Sequence, residues 1–232
     1  MAKTLRRYLW RGLLLAVVLV LAYELAILGC ITWWVWFNPS STRFMEDRLA
    51  TLQQQDPAAE LKHEWVPYDR ISIHLKRAII ASEDAKFLDH DGFDWDAIQK
   101  AYTRNLKKGK VVSGGSTISQ QLAKNLFLTS QRTPWRKAQE AIITVMLEKV
   151  MTKRRILEIY LNVIEWGDGV FGAEAAARHY YKVPASKLGT EQAARLAAIV
   201  PNPRFYDKHR GTQGIRRKMS VILVRMPAAV VP

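Results

Sequence analysis

Apolar residues run almost unbroken from Gly12 to Phe37 (GLLLAVVLVLAYELAILGCITWWVWF), and no other stretch of the chain is so continuously hydrophobic. An α-helix needs about 20 apolar residues to cross the hydrocarbon core, so these 26 positions predict a membrane-spanning helix with some tilt. Lys3, Arg6, Arg7 and Arg11 precede the run, whereas Arg43 and Arg48 beyond it are balanced by Glu46 and Asp47. The positive-inside rule then predicts a cytoplasmic N-terminus and a body outside the membrane. Tyr8 and Trp10 at one end, and Trp33, Trp34 and Trp36 at the other, suit the two interfacial belts. A cleaved signal peptide fits poorly, because the run is too long for an h-region and ends in aromatic rather than small residues. Glu24 is read as a protonated carboxyl tolerated in a single-pass anchor.

Past the anchor the pattern changes. Residues Asn38 to Tyr68 are polar and carry one short predicted helix, Ser41 to Gln55. From Ile71 onward apolar positions recur at three- and four-residue spacing, as in Leu75, Ala78, Ile79 and again in Ile156, Ile159, Tyr160, Val163. Ala-rich segments at Ala173–Tyr181 and Glu191–Val200 keep that period, while alternating strand patterns are scarce. Breaks fall at Gly92, Gly114-Gly115, Pro134, Gly167 to Gly169, Pro184 and Pro201-Asn202-Pro203. The expectation is an all-α domain of eight or nine short helices. The chain divides into a basic tail (1–11), an anchor (12–37), a membrane-proximal connection (38–68) and a catalytic body (69–232).

Charge adds a partner class. The formal net charge is +14, of which the first 37 residues supply +3 (four cations minus Glu24), leaving +11 on the body. A basic domain beside a membrane suits phosphate-bearing lipids or lipid-linked substrates. The lone Cys30 excludes an intrachain disulfide, and five scattered His residues form no zinc motif. No nucleic-acid-binding motif is present, so nucleic acid is not an expected partner.

Three strings carry chemistry. In EDAKFLDHDGFD, Glu83 and Asp84 end a predicted helix, where the dipole disfavours acids and a functional reason is called for. GGSTISQQLAKN (Gly114–Asn125) opens a helix whose Ser116 or Thr117 can cap it, with hydroxyls and N–H groups aimed at an anion. RKAQEAIITVMLE places Arg136 and Lys137 beside Glu140, a set that also suits ordinary ion pairs on a solvated helix.

Taken jointly, these strings resemble the peptidoglycan glycosyltransferases of glycosyltransferase family 51. Their ExxxFxxHxGxD, GxSTITQQLxKN and RKxxExxxAxxLE motifs match, with Ser119 in place of the usual Thr. RRILEIYLNVIEWG and GAEAAARHYY are similar to two further segments, and the likeness runs from about Glu64 to Pro203. No SxxK or KTG string follows, so the resemblance implies no transpeptidase activity.

The resemblance implies a lysozyme-like fold and polymerisation of lipid II into β-1,4-linked glycan strands by inverting transfer, with release of polyprenyl diphosphate. It assigns the general base to Glu83 and a second essential carboxylate to Glu140. Lys124 and Arg132 would meet the diphosphate, with Arg136 and Lys137 close by. Ser116, Thr117, Gln120, Gln121 and Asn125 would line the diphosphate and sugar positions. Phe87, His90 and Asp94 are expected to hold the turn behind Glu83. No resident metal is implied; a divalent cation, Mg or Mn, at the diphosphate is the one cofactor considered. The implied location is the bacterial inner membrane, with a periplasmic catalytic domain and lipid II, growing glycan and cell-division or elongation proteins as partners. A lytic enzyme, which also uses a catalytic Glu, has no need of cations aimed at a diphosphate. A non-enzymatic scaffold is the alternative from another class.

Overall fold

The computed structural model describes residues 2–110, 114–129 and 133–232. Residues up to Asn38 form one compact unit and Pro39–Pro232 a second. The first is a single helix, α1 (Ala2–Trp33), whose segment Arg6–Trp33 is long and apolar enough to cross a membrane. The helix takes in the basic tail and stops at Trp33. Beyond it the chain turns, and the Phe37 ring stacks on Trp33 with centroids 3.8 Å apart.

The second unit is mostly helical, in the order α2 (Arg43–Gln53), β1 (Lys62–His63), α3 (Ile73–Glu83), α4 (Trp95–Lys108), α5 (Ile118–Phe127), α6 (Pro134–Val150), α7 (Lys153–Val163), β2 (Glu165–Gly167), β3 (Val170–Phe171), α8 (Ala173–Tyr181), α9 (Thr190–Ile199), α10 (Pro203–Lys208) and α11 (Gln213–Arg225). From α3 onward it has nine α-helices among the described residues, within the expected eight or nine, while α2 lies in the membrane-proximal connection; Pro203 starts the short α10 at a step read from sequence as a break. A three-stranded ribbon of order β1-β3-β2 also forms. β1 runs parallel to β3, with Lys62 opposite Val170 and His63 opposite Phe171, and β2 is antiparallel to it. Strands of two or three residues are too short to show a period of two.

Side-chain oxygens cap the helices that position the site. Asp94 Oδ1 accepts from the Ala97 amide, and Thr117, Thr133 and Thr152 do the same at α5, α6 and α7. The core is centred on α7, where Ile156, Leu157, Ile159, Tyr160, Leu161 and Val163 are all fully buried. α5 packs on α6 and α7, and α3 packs on α9 and α11. Leu126 and Leu128 belong to this core.

Candidate active site

Glu83 is the last residue of α3, and its carboxylate sits on a short hydrogen-bonded chain. Ser82 Oγ donates to Glu83 Oε1 at 2.9 Å, and Gln121 Nε2 of α5 donates to Oε2 at 3.0 Å. The buried Tyr160 hydroxyl of α7 donates to Gln121 Oε1 at 3.0 Å and so fixes which way that amide faces. Burial pushes the Glu83 carboxyl up, against the two donated hydrogen bonds and the positive charge of Lys218 on α11, while Asp84 adds to the rise. Burial beside Glu83 also holds the Tyr160 hydroxyl well above its ordinary range, so it stays a donor. The result is a carboxyl poised to hold or release a proton.

The residues after Glu83 explain its rigidity. Asp84 is buried; its Oδ2 accepts from the Ile118 amide at the start of α5, and its Oδ1 lies 2.9 Å from His90 Nε2. The Gly92 amide donates to His90 Nδ1 at 3.1 Å, which leaves the proton on Nε2, facing Asp84. Thr117 Oγ1 donates to the Gly92 carbonyl at 2.7 Å. Gly92 has φ +94°, and a Cβ there would stand 2.7 Å from Thr144 Cγ2 of α6, so only glycine fits. Together these contacts clamp the end of α3 to the start of α5. Phe87, fully buried, lies under the Lys153 ammonium, 4.7 Å from its ring centroid.

The structure places the other residues singled out from sequence in different settings. Gln121, Lys124 and Asn125 line a cavity of about 250 Å³ bordered by Phe44, Glu165, Asn202 and Arg204. Thr117 and Gln120 are instead buried in the α5 capping box, the Gln120 amide oxygen accepting from Thr117 N at 3.1 Å. Their polar groups are thus committed to the helix start, while Ser116 just before them is exposed. Ser119, where the resembled motif has Thr, is buried and donates to Glu148, which also takes the Lys153 ammonium at 2.8 Å.

Glu140 is buried in α6, and both its oxygens accept from cations of its own helix. Arg136 Nη1 reaches Oε2 at 2.8 Å and Lys137 Nζ contacts Oε1. That arrangement suits a carboxylate that orients cations. It does not suit a divalent metal, which would have to displace both. No group of three or more His, Cys, Asp or Glu side chains among the described residues could hold a metal ion. Arg132 lies outside the described residues.

Sequence reading misses Tyr160, Lys218, Glu165 and Arg204. Tyr160 lies inside a resembled segment but reads there only as a core position of α7. Lys218 and Arg204 lie on helices near the end of the chain, where local pattern carries no signal of what they face.

Comparison with known proteins agrees with this geometry. The family model described as Transglycosylase matches residues 48–227. The biosynthetic peptidoglycan transglycosylase of Methylobacillus flagellatus is 66% identical over 98% of this chain and 100% of its own length. Those of Dechloromonas aromatica (64% identical, 99% of this chain and 100% of that protein) and Laribacter hongkongensis (62%, 97% and 99%) are similarly close.

Proposed function

The chain belongs to the transglycosylase family, and on that premise we propose that it polymerises lipid II into β-1,4-linked glycan strands. It is a glycosyltransferase of peptidoglycan synthesis with a mostly helical, lysozyme-like body. The observation that carries the finer reading is Glu83: a carboxyl raised by burial, held by Gln121 and Ser82, at the end of a rigid helix.

In the proposed step the acceptor's 4-hydroxyl oxygen attacks C1 of the donor sugar from the face opposite the diphosphate. Its proton passes to the Glu83 carboxylate, the C1–O bond to the diphosphate breaks, and polyprenyl diphosphate leaves. An α-linked donor thereby gives a β-linked product in one displacement. A carboxylate whose pKa burial raises is a stronger base than an exposed one and is suited to this transfer. Negative charge grows on the departing diphosphate, and preorganised cations are the largest available source of stabilisation. Lys124, with Gln121 and Asn125 beside it, is the proposed diphosphate cradle, and Arg132 the second cation. Glu140 holds Arg136 and Lys137 in fixed positions and supplies no proton. Ser116 is the exposed hydroxyl at the entrance to α5, whereas Thr117 and Gln120 act by fixing the helix.

The proposed placement follows from the substrate and from the charge bias around α1. The polyprenyl tail keeps the donor in the membrane; the anchor keeps the enzyme there, with its N-terminus cytoplasmic and its body on the outer face of the inner membrane. The sequence contains no SxxK or KTG string, and we assign the chain glycan polymerisation without peptide cross-linking. The test is polymerisation of a labelled lipid-linked disaccharide pentapeptide by detergent-purified protein, with Glu83→Gln in parallel. Muramidase-sensitive chains from wild type only are expected. An inactive wild type, on substrate that a control enzyme consumes, would leave the scaffold reading in its place.

A further inference from the structure

The cavity that Gln121, Lys124 and Asn125 line is also lined by three further polar residues, Glu165, Asn202 and Arg204. Glu165 sits at the first position of β2, a strand with no exposed residue, and is itself 6% exposed. A carboxylate so placed is costly unless ion pairs and hydrogen bonds satisfy it. Here they do so only in part. Arg48 Nε of α2 stands 3.4 Å from Oε1 and Arg204 Nε of α10 stands 3.6 Å from Oε2, yet Oε1 accepts no hydrogen bond.

The bland account, a structural pair tying α2 to β2, explains little of this. Arg48 is already paired with Asp168 through its Nη2. Arg204, half-exposed, lines the cavity and has Glu165 as its ion-pair partner, which engages the Nε edge rather than the two Nη groups. A guanidinium held from one side by a carboxylate is oriented for bidentate contact with an anion on the other.

Resting on the transglycosylase reading, we propose that Arg204 is a further substrate-binding cation of this cavity and that Glu165 is its positioning residue. The group received is an oxyanion, either a phosphate of the diphosphate or a carboxylate of the peptide carried by the substrate. Lys124 and Arg204, which line the same cavity, then grip one anionic substrate together. Burial pushes Glu165 up to about 7, although Arg204, Arg48 and the Gly169 amide pull it down and Asp168 opposes them. Mild acid therefore discharges Glu165 and loosens its hold on Arg204.

The test uses the full-length protein in detergent with two readouts: steady-state polymerisation, and equilibrium binding of polyprenyl diphosphate, which bears no peptide. Arg204→Ala is expected to raise KM about tenfold with kcat within about twofold, the loss of one charge-assisted contact. Arg204→Lys, lacking the fork, is expected to recover only part of this. Wild type is expected to show a rise in KM between about pH 8 and pH 6, and Glu165→Gln to raise KM several-fold at pH 8 and to remove that pH dependence. Weaker polyprenyl diphosphate binding by Arg204→Ala identifies the anion as phosphate; unchanged binding with raised KM identifies the peptide carboxylate. If wild type binds polyprenyl diphosphate more tightly than Arg204→Ala yet does not polymerise, the subsite stands and the proposed reaction falls. Arg204→Ala within twofold of wild type in both readouts overturns the subsite.

Discussion

Replacing Glu83 by Gln separates the energetics of folding from those of catalysis. The side chain keeps its shape, and its surroundings can rearrange around it. The oxygen of the new amide takes over the bond from Gln121 Nε2, and its NH2 group then faces Ser82 Oγ. Ser82 can accept that bond and turn its own proton to the Ala197 carbonyl, 3.5 Å away. No donor or acceptor is orphaned, so no destabilisation of about 1–3 kcal/mol from a lost partner arises. What disappears is a carboxylate charge in a site whose burial opposes it. Because the folded carboxyl is raised above its unfolded value, the ionised group weakens the fold at pH above its folded pKa, and a neutral amide removes that penalty. The expected phenotype is a protein that melts higher than wild type at pH 8, with the difference shrinking in acid, where wild-type Glu83 is neutral too. In the polymerisation assay the same protein loses roughly 10²–10⁴-fold in rate, the usual contribution of a general base. A substitution that lowered the melting temperature, or that kept activity within tenfold, would refute the assignment of a strained, proton-accepting carboxyl at this position.

Other expectations follow from the same contacts. Glu165 has a folded pKa of about 7 against an ordinary value of 4.5, so its contribution favours the fold below about pH 4.5 and is lost as pH rises through 7. Glu165→Gln should therefore match wild type near pH 4 and exceed it by up to about 3 kcal/mol at pH 8, read as the difference between paired unfolding curves. A pH-independent difference would count against a titrating Glu165. Asp84→Asn must set its NH2 against either the Ile118 amide or His90, and moving the His90 proton to Nδ1 only transfers the conflict to the Gly92 amide. One buried pair stays unsatisfied, costing about 1–3 kcal/mol, with kcat falling as Glu83 loses its rigid support. Unchanged melting would show that Asp84 does not clamp α3 to α5. Gly92→Ala combines positive φ with a Cβ 2.7 Å from Thr144 Cγ2 and should lower stability by about 2 kcal/mol or more. Calorimetry would expose a smaller loss, and Thr144→Ala in the same background should recover part of it.

Local chemistry made much of this protein legible from its sequence. The span of α1 follows from an apolar run, because a bilayer selects for length and hydrophobicity alone. The start of α5 follows from Thr117, since a cap acts within three residues of itself; Asp94, Thr133 and Thr152 cap α4, α6 and α7 by the same local rule, although the pattern does not single them out as caps. Helical period located the buried faces of α3 and α7. Glu83, Lys124 and Glu140 are reached through resemblance; on spacing alone the Glu140 set equally suits ordinary ion pairs, and the Lys124 segment a well-capped surface helix.

What the tertiary structure alone decided is who meets whom. Thr117 and Gln120, which a motif presents as site residues, turn inward because the capping box and the Gly92 carbonyl claim their polar atoms. Gln121 reaches Glu83 across 38 positions and Tyr160 reaches Gln121 across 39, contacts that exist only because the end of α3 meets α5 and α5 packs on α7. Glu165 looks like an ordinary polar residue in a turn until α2 and α10 close over it and strip its water. Sequence determines where helices begin and which face is apolar, for those depend on neighbours along the chain. The protonation state of a carboxyl and the direction of a guanidinium depend on neighbours in space, and only packing supplies them.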